Sequence, residues 1–411
     1  MTMSLMLLFP WALAIGLTIW GTWLALRHVA QTPPHLDRPF NLFPVTVLKP
    51  LKGAESGIFE NLASFFRLDY PNYEIIFSVA DANDPVVPVI QRLIADHPAA
   101  PARLIVGDLW IGPNPKVNNM IRGYREAKYD WVVISDSNVR VAPDYLKRMV
   151  AHLDLGVGIM TSLVAGQNAE GIGGNLEATF LNTYYARGMS LAFAVKQPVV
   201  LGKSMMFRKS VAARFGGLEV LSRYLAEDYI CGEAVRQLGL RTVMATDPVA
   251  QHIGQYSFSS FWARHIRWGR IRKMQSPLLF WFEPFLGIFA SAIFGALAFQ
   301  RLFGISPVLF ACIHLTLWSV CDLLLMRRLG QKVEVKMPLF WFGRELLGLP
   351  MWLHIASGNT VNWRGERLKL QSGGILEANP PALSGATFNG RTQAQSSASL
   401  SLGNSDEQPS S

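Results

Sequence analysis

Apolar residues run almost unbroken from position 3 to position 26, and long apolar stretches return over 278–300, 305–326 and 338–356. A helix needs about 20 such residues to cross a bilayer. The chain is therefore expected to hold a membrane anchor at 3–26 and a membrane region over 278–356, with a water-facing domain between them. A signal peptide would open on basic residues and carry a shorter core. Positions 1–26 carry no Lys or Arg, so the first segment reads as an uncleaved anchor. Arg27, His28 and Arg38 follow it, and basic flanks favour the cytoplasmic side. A multi-pass protein with its central domain in the cytoplasm is expected, and the short loops fit a bacterial inner membrane.

The same logic orders the second half. Spans are expected at 278–300 and 305–326, and Arg327, Arg328, Lys332 and Lys336 return that hairpin to the cytoplasm. The third stretch, 338–356, contains Arg344-Glu345. Charge inside lipid is costly, so a full span and a re-entrant segment both remain open. Residues 189–207 are also apolar, but Lys196, Gln197, Pro198, Lys203 and Ser204 interrupt them; a helix end and a buried strand over 202–207 are expected. Residues 378–411 are rich in Ser, Ala, Gly, Asn and Gln and are expected to be disordered.

Composition narrows the function. Half of the 411 residues are hydrophobic and only 16% are charged, which argues against a purely soluble protein. The net charge is +9. Many of the cations crowd against apolar stretches, which suits anionic head groups rather than a nucleic acid. Cys231, Cys312 and Cys321 give no disulfide framework.

Residues 44–275 read as the soluble domain. Val45–Leu48, Glu74–Val79, Arg103–Val106 and Trp131–Ile134 are short β-rich runs separated by helical patterns, and Asp84-Pro85 opens a helix expected to reach about His97. Alternating strands and helices imply an α/β fold with a mostly parallel central sheet and ligands at the strands' carboxyl ends. Asp81 and Asp136 fall just past two such ends. Asp81 suits a nucleotide, or a turn. Asp136 with Asn138 offers oxygen ligands to Mg2+ or Mn2+, or forms an Asx-turn. Glu227 and Asp228 open a helical pattern, where acids serve the dipole or where Asp228 serves as a base with its pKa raised by its neighbour. Lys116, Asn118 and Asn119 either meet an anionic ligand or cap a helix. Arg264, Arg267, Arg270, Arg272 and Lys273 are five cations in ten residues, with Trp262 and Trp268 among them. They form a lipid head-group stripe, or Arg264, Arg267 and Trp268 line an acceptor mouth and hold a pyrophosphate. His252 either completes a metal shell or is structural.

In order and spacing these segments resemble the ceramide glucosyltransferase family of inverting membrane glycosyltransferases. The resemblance covers roughly residues 5–375. It is carried by Leu48-Lys49-Pro50-Leu51-Lys52-Gly53, Asp69-Tyr70-Pro71-Asn72-Tyr73-Glu74, Asn114-Pro115-Lys116-Val117-Asn118-Asn119, Asp136-Ser137, Leu225-Ala226-Glu227-Asp228-Tyr229, Arg267-Trp268 and Trp363-Arg364-Gly365. It implies a GT-A domain, a UDP-sugar donor and a lipid acceptor with a primary hydroxyl. Asp81 would hold the nucleotide, with Lys116 and Asn119 also at the donor. Asp136 would lie by the metal and diphosphate, and Asp228 would be the general base. Arg264, Arg267 and Trp268 would match the family's Gln/Arg-x-x-Arg-Trp signature. Many members of the wider superfamily carry an aspartate where Asn138 stands, which weakens the case for a metal.

The expected activity is transfer of a hexose, glucose first, from a UDP-sugar to ceramide. A hopanoid acceptor keeps the chemistry and changes the lipid. An inactive lipid-binding scaffold is the reading outside enzymology, although a binding module needs no base.

Overall fold

The computed structural model describes residues 2–34, 42–363 and 366–377; Arg38, Arg364, Gly365 and the tail expected to be disordered at 378–411 lie outside them. The central sheet has eight strands: β1 (Val45–Leu51), β2 (Tyr73–Val79), β3 (Ala102–Val106), β4 (Trp131–Ser135), β5 (Val139–Arg140), β6 (Val157–Glu170), β7 (Ser204–Arg208) and β8 (Arg241–Gln255). Their order is β3-β2-β1-β4-β7-β6-β8-β5. The first four are mutually parallel, and Val47 pairs with Ile75 on one side and Val133 on the other. β7 runs antiparallel to both β4 and β6, while β6 and β8 run parallel to each other.

Every residue of β1 is buried, as expected of a strand covered on both faces. One face packs on the helices Ile58–Phe66 and Val87–Asp96, the other on Pro115–Arg125 and Glu227–Gln237. From β1 the chain builds outward to β2 and β3, then crosses back to β4. That reversal opens a crevice at the carboxyl ends of β1 and β4, where open α/β sheets bind ligands. Asp136 stands there.

The strands read from the sequence are present, and the 202–207 strand forms as β7. The sequence reading missed β6 and β8, which contain Gly158, Gly166, Asp247 and Pro248 and bear no clean alternation. Bulges in their pairing, between Val157 and Ile159 and between Ser162 and Val164, absorb the irregularity. Asp84 does not cap the helix it precedes. Its carboxylate accepts from Val86 N and Gly53 N, each at 2.9 Å, and so ties the loop after β1 to the helix start.

Among the described residues two helices are long and apolar enough to cross a membrane, Thr2–Val29 and Pro307–Arg328, or three if a bent pair counts as one. The bent pair, Pro277–Leu286 and Ile288–Phe303, turns by 59° and replaces the straight span expected at 278–300. Pro284 and an extended Gly287 explain the break. Met337–Ala356 is helical throughout and carries Arg344-Glu345 near its middle. Arg328 donates to the Val29 carbonyl at 2.6 Å, so the basic ends of the two long helices meet. His28 Nε2 lies 2.9 Å from the Ala245 carbonyl and seats the first of them on the sheet domain.

Candidate active site

A cavity of about 2040 Å3 connects the sheet crevice with the C-terminal helices. Asp136 and Asp228 line it, and so do Leu279, Phe285, Ile293 and Leu349 from the apolar segments. The two acids expected to converge therefore do so, in a space that continues among the apolar C-terminal helices.

Asp136 is fixed from behind. The buried Lys49 ammonium donates to the Asp136 carbonyl at 2.8 Å and to Ser135 Oγ at 3.2 Å, over the face of Phe65. Burial, partly offset by the Asp136 charge, pulls Lys49 well below its ordinary pKa. The Asp136 carboxylate lies between two further lysines, with Lys116 Nζ 3.0 Å from Oδ1 and Lys203 Nζ 3.0 Å from Oδ2. Burial opposes its charge, but the two ammoniums prevail and hold it below the usual carboxylate range. Lys203 Nζ also donates to Asn138 Oδ1 at 2.8 Å.

Lys116 stands at the start of Pro115–Arg125, a helix capped by the Asn114 side chain. It reaches Glu227 Oε1 at 2.7 Å as well as Asp136. Asp228 opens Glu227–Gln237 and accepts from Gly202 N at 2.8 Å. A Cβ on Gly202 would lie 3.0 Å from the Asp228 carboxylate and 3.2 Å from Lys116 Nζ, so a side chain there would push both groups by a few tenths of an ångström. Burial, followed by the Glu227 charge, pushes the Asp228 carboxyl up to about 6. That places a base near neutrality.

The basic run divides along the helix Phe258–Gln275. Arg264 stacks 4.4 Å from the centroid of Trp268, and Trp268 stacks in turn on Tyr185. Arg267 lies over Trp363. These residues of the run line the cavity. Arg270 and Lys273 instead bind backbone carbonyls of the turn that follows Ala356. The sequence did not single out the group that organises Arg264. Glu177, fully buried in the helix Gly171–Phe180, accepts from His265 Nε2 at 2.7 Å and pairs with Arg264 Nε at 3.2 Å. Burial opposes its ionisation, but Arg264 and His265 bring the carboxyl down to about 2. A lone acid in an otherwise buried helix face was the available signal. Lys203 gives no stronger signal in the sequence, where it only interrupts an apolar run.

Other expected residues are placed less directly. Asn119 lines the cavity and donates to the Leu51 carbonyl at 3.0 Å, while Asn118 ties down the loop at Ile111 and Gly112. Asp81 is exposed and accepts from Asn83 N in a tight turn; its neighbour Ala80 lines the cavity and Asp81 does not. His252 faces Asn168 at 2.8 Å. Among the described residues no group of three or more His, Cys, Asp or Glu side chains is placed to hold a metal. Asp136 and Asn138 supply hard oxygen donors, and a magnesium-type site usually completes its shell with water and substrate phosphate. The pair fits such an ion once Lys203 gives way.

The sequence model described as "Glycosyl transferase family 21" matches residues 6–376. The chain belongs to that family. Like its family 21 relatives, it is a glycosyltransferase. It is 30% identical over 359 residues to Ceramide glucosyltransferase 1 of Caenorhabditis elegans, covering 85% of this chain and 75% of that one. It is 29% identical over 438 residues to a ceramide glucosyltransferase of Komagataella phaffii, covering 84% of each. The solved mannosyltransferase PcManGT of Pyrobaculum calidifontis, in complex with GDP-Man and Mn2+, superposes with a TM-score of 0.52 at 17% identity, over 86% of this chain and 98% of that one. The family 21 domain here thus has the GT-A fold.

Proposed function

We propose that this glycosyltransferase moves glucose from UDP-glucose to the primary hydroxyl of a membrane lipid, ceramide first, with inversion. One observation carries the reading: the cavity that holds Asp136 and Asp228 continues between apolar helices. A water-soluble acceptor needs no such arm. The names of the two relatives support glucose and ceramide.

In this mechanism Asp228 takes the proton of the acceptor hydroxyl. The freed oxygen attacks the anomeric carbon while the bond to the diphosphate breaks, and UDP leaves with that electron pair. Lys116, Lys203, Arg264 and Arg267 stabilise the charge that develops on the diphosphate. Asn119 and the Asp136 loop hold the donor, and Trp268 with Tyr185 walls the acceptor side. Asp136 and Asn138 would hold Mg2+ or Mn2+ against the diphosphate, where the ion would add neutralising charge. Removing the ion with a chelator should lower UDP-sugar affinity, and Mn2+ should restore it; unchanged affinity would leave the lysines and arginines as the sole counter-charge.

The meeting of the basic ends at Val29 and Arg328, beside the sheet domain, supports a cytoplasmic catalytic side. The decisive experiment incubates membranes bearing the protein with labelled UDP-sugars and identifies the lipid products by mass. Glucosylceramide is expected. A glycosylated hopanoid would change the acceptor, and UDP-sugar binding with no transfer to any lipid would reduce the protein to a scaffold.

A further inference from the structure

The cavity also holds charged groups that the donor chemistry leaves unused. Arg344 and Glu345 pair with each other in Met337–Ala356, line the cavity and keep only 10% of each side chain exposed. Arg187 pairs with Asp322, which also accepts from Trp341 Nε1 at 2.7 Å. Arg272 pairs with Glu283 at 2.9 Å. Three cations thus meet three carboxylates one to one. Buried ion pairs are weak sources of stability, and apolar residues of equal volume often replace them without loss. Ionisable groups among membrane helices therefore point to function first.

Their connection to the reacting end is a single helical turn. Leu181–Tyr185 is π-helical, a form found often at functional sites. Tyr185 stacks on Trp268 there, while the next ring, Tyr184, lies 5.9 Å below the Arg344 guanidinium. Two neighbouring residues of this turn thus touch the reacting end and the Arg344 pair. Arg344 Nε, buried, has no hydrogen-bond partner among the described residues. An anion bound here would have to break a closed ion pair. An uncharged group could use the spare N–H and the carboxylate beside it without breaking anything.

Resting on the lipid-acceptor reading, we infer that Arg344 and Glu345, with Tyr184, form the subsite that reads the acceptor's uncharged backbone next to the reacting hydroxyl. The ligand chemistry is an amide or hydroxyl that both donates and accepts; a phosphate at that place is excluded.

The full-length protein in nanodiscs would be assayed with three lipids bearing a primary hydroxyl: an N-acyl amino alcohol, a polycyclic polyol and phosphatidylglycerol. Wild type is expected to use one or both neutral lipids and not the phosphate ester. Glu345→Gln should raise the lipid KM at least tenfold while the UDP-sugar KM stays within twofold. Transfer to phosphatidylglycerol at a comparable rate, or a variant lipid KM within twofold of wild type, overturns the subsite. If that variant does not fold, Arg344→Met with Glu345→Leu removes both buried charges at similar volume. A stable double variant with weakened lipid use upholds the subsite, and one with full lipid use overturns it. Wild type that transfers to no lipid at all sinks the acceptor reading, and the subsite falls with it.

Discussion

At the sheet end of the cavity charges are shared: Asp136 lies between Lys116 and Lys203, and Lys116 serves Glu227 as well. At the end among the apolar helices they are closed into pairs, Arg187 with Asp322 and Arg344 with Glu345. A shared network can turn toward an arriving diphosphate, because each cation keeps a partner as another is given up. A closed pair has nothing to release and can only add hydrogen bonds at its edge. On the proposed function, one cavity would treat its two substrates by separate rules, ionic for the donor and neutral for the acceptor.

The largest expected effect falls where the two rules meet. Asp228→Asn removes the base and should lower kcat by about 10²–10⁴-fold, with UDP-sugar affinity nearly unchanged. Equal activity in that variant would end the assignment. Glu177 tests the ionic end alone. Glu177→Ala leaves Arg264 and His265 without their buried partner and should cost about 3–5 kcal/mol of stability, read as a lower Tm. Glu177→Gln keeps the shape, so its main effect should be weaker UDP-sugar binding with the lipid KM little changed. A shift in the lipid KM instead would blur the contrast. The carboxyl of Glu177 lies below its ordinary value of 4.5, so its stabilisation is full above that pH and is lost as pH falls toward about 2.

Much of the ionic end was legible in the sequence. Asp136 follows an apolar run and Asp228 opens a helix, and those local signals fixed which strand end and helix start would carry them. The partners were not legible, because convergence is tertiary. Lys203 and Glu177 lie 67 and 51 residues from Asp136 and Asp228 in order, yet nothing near them in the chain marks a site, whereas the fold seats one on Asp136 and the other under Arg264. The long strands β6 and β8 were lost to glycine and proline, whose cost the sheet absorbs in bulges. The neutral end was half legible. Arg344-Glu345 stood out as charge in an apolar stretch, but only the packing shows Tyr184 beneath it.

The smallest effect is the sharpest test of how the ionic end tunes its base. Asp228 must be ionised to accept a proton, so transfer should fall as pH drops through about 6. Burial is the larger cause of that raised value and the Glu227 charge the next. Glu227→Gln removes the second cause and frees Lys116 to favour the Asp228 anion. The acid limb of the pH–rate profile should therefore move to lower pH, while burial still opposes the anion. The lipid KM should not follow, because Glu227 pairs with Lys116 and not with the closed pairs. A limb that stays in place would mean that burial alone sets the base, and a limb that moves together with the lipid KM would mean that the two ends are not separate.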